Sequence, residues 1–168
     1  MTIITSKERQ LNDAYDKYAD MLYHLSLSHM QNREDAEDVI QEVFCKYYSK
    51  MPAFADSSHE KAWFIRVTIN QCRDHLRHRK LRTHTPLHEI GDIAGQTGIT
   101  DENALDVMQL LSYLSEKYRS VVILHYLEGL SVEEIAMALS IGKSAVKMRL
   151  SRAREQLQGQ IRKEDSLV

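Results

Sequence analysis

The stretch that most constrains this chain is residues 131–158. It opens on Ser131-Val-Glu-Glu134. There a serine can accept the N–H three residues on while the glutamate reaches back to the serine's own N–H, which marks a helix start. Ser140-Ile-Gly142 then leaves room only for a sharp change of direction before a second helix. Ile135, Leu139, Ile141, Val146 and Leu150 supply the apolar contacts that lock two helices across that turn, and Ala136 is small where they approach. The pattern predicts a helix-turn-helix.

Its second helix, residues 144–157, turns Val146, Leu150, Ala153 and Leu157 toward the core. Between residues 143 and 154 there are five basic residues and no acidic one. In such a motif the first turns of the second helix enter the major groove. Ser144, Lys147, Met148 and Ser151 are therefore the candidates for reading base edges. Lys143, Arg149, Arg152 and Arg154 are better placed on phosphates, which position the helix without specifying sequence. Repressors, response regulators and initiation factors all use this motif, so the rest of the chain must decide between them.

The formal net charge of −2 argues at first against a nucleic-acid partner. The average hides segregation. Residues 34–42 hold five acids and no base, whereas residues 61–82 hold seven bases against the single acid Asp74. Acidic and basic surfaces kept apart in this way predict two kinds of partner.

Three apolar stripes at helical spacing precede the motif. They are Leu11, Tyr15, Tyr18, Leu22, Leu25; then Ala36, Val39, Ile40, Val43, Phe44, Tyr47; then Ala62, Ile65, Ile69, Cys72, Leu76. Four further helical segments fill the second half. The first carries Leu105, Met108, Leu111 and Leu114. The next starts after Ser115 and ends near Gly129, and the two helices of the motif follow. Between them the periodicity stops, and Pro86, Gly91, Gly95 and Gly98 mark a linker. The predicted fold is all-α: two small helical domains, 8–82 and 104–163, joined by a flexible linker, 83–103. That linker could span at most about 70 Å, or roughly 20 base pairs of duplex.

Cys45 and Cys72 each sit in an apolar helical pattern and are expected to be buried free thiols. Residues 1–10 are polar and charged, and no apolar run is long enough to span a membrane, so a soluble cytoplasmic protein without membrane insertion is expected. Cys72, His75, His78, His84 and His88 fall within 17 residues, and the first two could chelate from one helix face. Cys72 belongs to the core stripe, however, and no metal or cofactor is assigned. No nucleophile–base pair or phosphate-binding glycine loop is present, so no enzyme activity is expected. A zinc hydrolase and a stand-alone helix-turn-helix regulator are the competing readings.

Three segments resemble the extracytoplasmic-function (group IV) sigma factors of the bacterial sigma-70 family. Asp35-Ala-Glu-Asp-Val-Ile-Gln-Glu-Val-Phe44 resembles region 2.2, the segment from Lys61 through Arg77 resembles region 2.4, and that from Leu114 through Glu155 resembles region 4. The resemblance implies a subunit that binds core RNA polymerase, recognises −10 and −35 promoter elements and promotes melting. It implies docking of Asp35, Glu37, Asp38, Gln41 and Glu42 on the beta-prime coiled coil, and a region 4 contact with the beta flap. It implies −10 contacts from Lys61, Arg66, Arg73 and Arg77 to phosphates and from Asn70 to a base or the backbone. Asp74 would hold neighbouring basic side chains in place. The loop 53–60, with Phe54, Ser57, Ser58 and His59, would take an extruded base, while Trp63 is expected mainly to pack in the core. An anti-sigma factor that clamps both halves is implied as well. The chain departs from the family pattern at Ser144-Ala145, Met148 and Ser151, where −35 bases would be read.

Overall fold

The computed structural model describes residues 4–83 and 102–167, and the described residues form helices and connecting turns. Helix α1 spans Ser6–Met30, and its start is fixed by a reciprocal Thr5–Glu8 capping box. It stops at Gln31, whose left-handed backbone (φ 61°) lets its N–H close on the Leu27 carbonyl. Asn32 then caps α2, Arg33–Lys50, through the Asp35 N–H. A left-handed Met51 ends that helix, and Pro52 cannot continue it.

Helix α3, Ser57–Thr83, starts where the Asp56 carboxylate accepts the His59 N–H at 3.0 Å. Ser57, Ser58, His59 and Glu60 therefore form its first turn. The expected loop 53–60 is corrected to 51–56, because Asp56 is a strong cap that begins the helix early.

In the second half, α4 spans Glu102–Ser112 and α5 spans Glu116–Val122. A π-helical turn, Ile123–Leu127, extends α5 before Gly129 reverses the chain at φ +70°. The wider turn moves the chain off the α-helical path, and glycine tolerates the positive φ that follows. Then come α6, Val132–Leu139, and α7, Lys143–Asp165. The anticipated Ser131–Glu134 capping box is present in both directions. The linker expected over 83–103 is helical at both ends, with Thr83 closing α3 and Glu102 opening α4; residues 84–101 lie outside the described part.

The three first-half helices pack on one another around Leu22, Leu25, Val39, Val43, Phe64 and Ile65, all fully buried. An aromatic cluster adds to this core, with Phe64 packing at a tilt against Tyr18, Phe44 and Tyr47 at ring-centroid distances of 4.9–5.4 Å. In the second half α7 packs on α5 and α6 around Leu124, Ile135, Val146 and Ala153. The two halves also touch each other. Helix α3 lies along α6, α1 touches α4 and α5, and the buried apolar residues form one continuous cluster. The stripes alone did not predict this seam. Cys72 is buried as expected, but Cys45 is exposed, because α2 turns it outward beside Tyr48 rather than into the core.

Candidate nucleic-acid and partner interfaces

The turn between α6 and α7 rests on Ser140, whose left-handed backbone (φ 55°) lets the Ile141 N–H reach the Ala136 carbonyl at 3.1 Å. Gly142 starts α7. Val146, Leu150 and Ala153 are buried and Leu157 packs beside them, so register fixes the remaining faces outward. Lys143, Ser144, Lys147, Met148, Ser151, Arg152 and Arg154 are exposed and Arg149 is half-buried. Arg154 donates to the Tyr126 hydroxyl at 2.7 Å, so the π-helical turn orients a cation on this ridge. Lys143 lies 3.7 Å from Glu133, with both side chains well exposed. Such a pair contributes little in water and can exchange for a phosphate. The ridge is a compact cationic surface about 16 Å long at 1.5 Å per residue.

Helix α3 offers a second cationic ridge. Arg66, Asn70, Arg73 and Arg77 are exposed and Lys61 is half-buried at its start. Asp74 holds Arg77 at 2.6 Å. The other three cations meet the second half: Lys61 lies 3.4 Å from Glu134, Arg66 donates to the Met137 carbonyl at 3.0 Å, and Arg73 meets Glu116 at 2.7 Å. The Ser131 N–H and then Lys61 hold the Glu134 carboxyl below its usual range.

Phe54 is half-buried and meets Trp63 edge-on at 5.9 Å, and Trp63 in turn meets Phe64 at 5.1 Å. Trp63 thus packs in the aromatic cluster. Phe54 and Ser57 share an open groove of about 710 Å³ with Tyr47, Pro52 and Asp56. His59 also faces Asp56, at 2.8 Å. An aromatic wall beside hydrogen-bonding side chains can hold a planar base.

On α2, Glu37, Asp38, Gln41 and Glu42 are exposed, whereas Asp35 is half-buried. Asp35 accepts from Asn32 at 2.7 Å and faces His75 and Arg79 at 3.3 Å each, so it fastens α2 to α3. Glu42 contacts Gln71 of α3. Beside the acidic face runs an apolar groove of about 810 Å³ between α1 and α2, lined by Leu11, Tyr15, Ile40, Phe44 and Tyr48 with Glu37 and Gln41 at its edge. Tyr15, expected in the core stripe, is not buried. Its 51% exposure makes it a wall of this groove, its ring tilted against that of Phe44 with centroids 5.0 Å apart. Its regular spacing with Leu11 and Tyr18 gives no sign of this.

The seam holds two further polar groups that periodicity could not assign. His29 is buried and lies 3.1 Å from the Ser120 hydroxyl. Burial, then the charges of Arg119 and Arg73, push its imidazole down to about 3. Arg119 donates to the carbonyls of Leu111, Leu114 and Ser28 at 3.0, 2.8 and 2.7 Å, tying α4 and the end of α1 to α5. Burial drives the Cys72 thiol up to about 12. Among the described residues no group of three or more metal-ligating side chains comes together; His84 and His88 lie outside them.

Comparison with known proteins agrees with this architecture. The model of sigma-70 region 2 matches residues 14–82, and that of sigma-70 region 4 matches residues 104–157. The ECF RNA polymerase sigma factor SigW of Bacillus subtilis is 30% identical over 165 residues, covering 89% of this chain and 88% of that protein. The RNA polymerase sigma-E factor of Streptomyces avermitilis is 33% identical over 133 residues, covering 78% and 73%. Among solved structures, CnrH in complex with the cytosolic domain of CnrY has a TM-score of 0.69 at 23% identity, covering 92% of this chain and 88% of that one. The sigma factor RpoE in complex with the anti-sigma factor NepR from Bartonella quintana has a TM-score of 0.68 at 23% identity, covering 92% and 96%.

Proposed function

Because the chain belongs to the sigma-70 family, among the ECF sigma factors of RNA polymerase, we propose that its acidic and basic surfaces divide the work of initiation between polymerase and promoter. The chain is a transcription initiation factor rather than a stand-alone regulator. Glu37, Asp38, Gln41 and Glu42 on α2 dock the basic side chains of the beta-prime coiled coil. Asp35 contributes by fixing the pitch of α2 on α3. The second half contacts the beta flap.

Helix α7 lies in the major groove at the −35 element. Ser144, Lys147, Met148 and Ser151 face base edges, and Lys143, Arg149, Arg152 and Arg154 face phosphates. Lys61, Arg66, Arg73 and Arg77 follow the −10 strand with Asn70 beside them, while Phe54, Ser57 and His59 receive an extruded base. Melting needs no bond-making residue, because a surface that binds the opened strand better than the duplex shifts the equilibrium toward it. Residues 8–82 serve polymerase and the −10 element, and residues 104–163 serve the −35 element.

The partners are core RNA polymerase, promoter DNA and an anti-sigma factor that covers both halves. The site of action is the cytoplasm, and no helix among the described residues is long and apolar enough to cross a membrane.

The observation that carries this reading is the capped helix-turn-helix whose outward ridge gathers five cations in an acidic chain. The test is gel filtration of the chain with core RNA polymerase. A stable complex is expected, and the chain alone is expected to be monomeric. A symmetric dimer that binds duplex tightly and leaves core polymerase untouched would favour the stand-alone regulator.

A further inference from the structure

The recognition ridge carries one large apolar side chain that the core does not use. Within residues 143–155 of α7, Val146 and Leu150 are buried, while Met148 is 52% exposed. It lies in the second turn of the helix, inside the stretch that enters a major groove. Its neighbours on the helix surface are the residues three and four positions away, Ser144, Ala145, Ser151 and Arg152. Three of these are small, so the thioether stands above them. Beside it, Tyr118 of α5 backs a hollow of about 490 Å³ that Met148, Ser151 and Arg152 also line. Tyr118 is itself buried. An unbranched thioether next to open space can adjust its shape to the surface it meets.

The chemistry of the groove narrows what that surface is. Base edges there present nitrogen and oxygen donors and acceptors, and a single apolar group, the C5 methyl of thymine. A thioether donates no hydrogen bond and accepts only weakly. Set against the edge of a G·C pair, it strips water from donors and acceptors and gives nothing back. Set against a thymine methyl, it removes apolar surface from water on both sides.

We propose that Met148 is a thymine reader: it packs on the C5 methyl of one thymine in the upstream promoter element and disfavours a G·C pair at that position. The inference rests on the function proposed above and deepens it by naming the base. Ser144 and Ser151, one turn before and one turn after, leave room for the contact and can hydrogen-bond to the adjoining pairs. The chain departs from the family pattern at Met148, so the thymine preference belongs to this protein rather than to its relatives.

The test uses the full chain bound to core polymerase. Promoters are selected by transcription from a randomised library, and the strongest supplies the upstream block. Each thymine of that block, on either strand, is then replaced in turn by deoxyuridine, which keeps every hydrogen-bonding group and lacks only the methyl. At one position the affinity of the complex is expected to fall about fourfold, the factor that burying one methyl gives. Met148→Ala is expected to bind the thymine and deoxyuridine duplexes equally. A folding defect would weaken both duplexes alike and leave their ratio unchanged, so the ratio reports the contact and not stability. Should the alanine variant bind too weakly to titrate, Met148→Gln, which keeps the reach of the side chain but ends in a polar group, gives the same comparison.

Three results overturn the proposal and leave the promoter reading intact. They are an upstream block with no thymine on either strand, a block in which no position responds to deoxyuridine, and a fourfold effect that survives in the Met148 variants. A chain that yields no specific transcripts with core polymerase removes the reading beneath, and the inference with it.

Discussion

Arg73 of α3 and Glu116 of α5 face each other at 2.7 Å although 43 residues separate them in sequence. A residue proposed to contact promoter DNA is thereby tied to the half that carries the helix-turn-helix. The pair is too exposed, at 58% and 39%, to contribute much by itself.

Buried His29 makes the packed state sensitive to acid. Its imidazole sits near 3 when folded, against an ordinary value near 6.5, with Arg119 and Arg73 as the facing charges. The unfolded chain therefore binds the extra proton between those values. The contribution of His29 to stability is complete above about pH 6.5 and falls as pH drops toward 3, by at most about 1.4 kcal/mol per pH unit. Urea unfolding at pH 7.5 and pH 5 is expected to show a smaller loss for His29→Gln than for the parent chain. Equal losses would contradict this.

Arg119 is expected to be the most sensitive polar residue of the second half. Arg119→Met leaves the carbonyls of Leu111, Leu114 and Ser28 without their shared donor. A loss of about 2–3 kcal/mol in unfolding free energy is expected. A loss under about 0.5 kcal/mol would show that solvent replaces the guanidinium.

On α2, neighbouring acids should separate by role. Charge reversal of Asp38 and Glu42, both exposed, is expected to weaken core polymerase binding at least about tenfold with little change in melting temperature. Asp35→Ala is expected to lower the melting temperature, because it cuts α2 from His75 and Arg79. Unchanged polymerase affinity in the charge-reversed protein would remove the docking assignment.

On α7, phosphate and base contacts have different signatures. Arg152→Ala is expected to weaken duplex binding uniformly across sequences and to lower the salt slope by about 1. Lys147→Ala is expected to relax preference at one base pair by about 1–3 kcal/mol. The two are separated by titrating a promoter and its single-base variants at several salt concentrations. A sequence-selective effect of Arg152→Ala would reverse the assignment.

The helix-turn-helix was legible because it is written locally. Ser131 and Glu134 form their cap within four residues, and Val146, Leu150 and Ala153 keep one register. The start of α3 was misplaced because Asp56 caps a helix whose first turn, Ser57 to Glu60, is polar and lacks periodicity. The seam was illegible for a different reason. Its contacts join residues far apart in sequence, and a buried His29 or a carbonyl-bound Arg119 leaves no periodic trace. Tyr15 and Cys45 show the remaining ambiguity, since an apolar residue at the edge of a stripe can line a groove instead of a core.

The central claim is that this chain confers promoter choice on RNA polymerase. Its most direct measurement is run-off transcription by core polymerase plus the purified chain on a library of promoter fragments. Discrete start sites that share two conserved blocks, and that vanish without the chain, are expected. Transcription that is unchanged by adding the chain, or starts with no shared sequence, would contradict the claim.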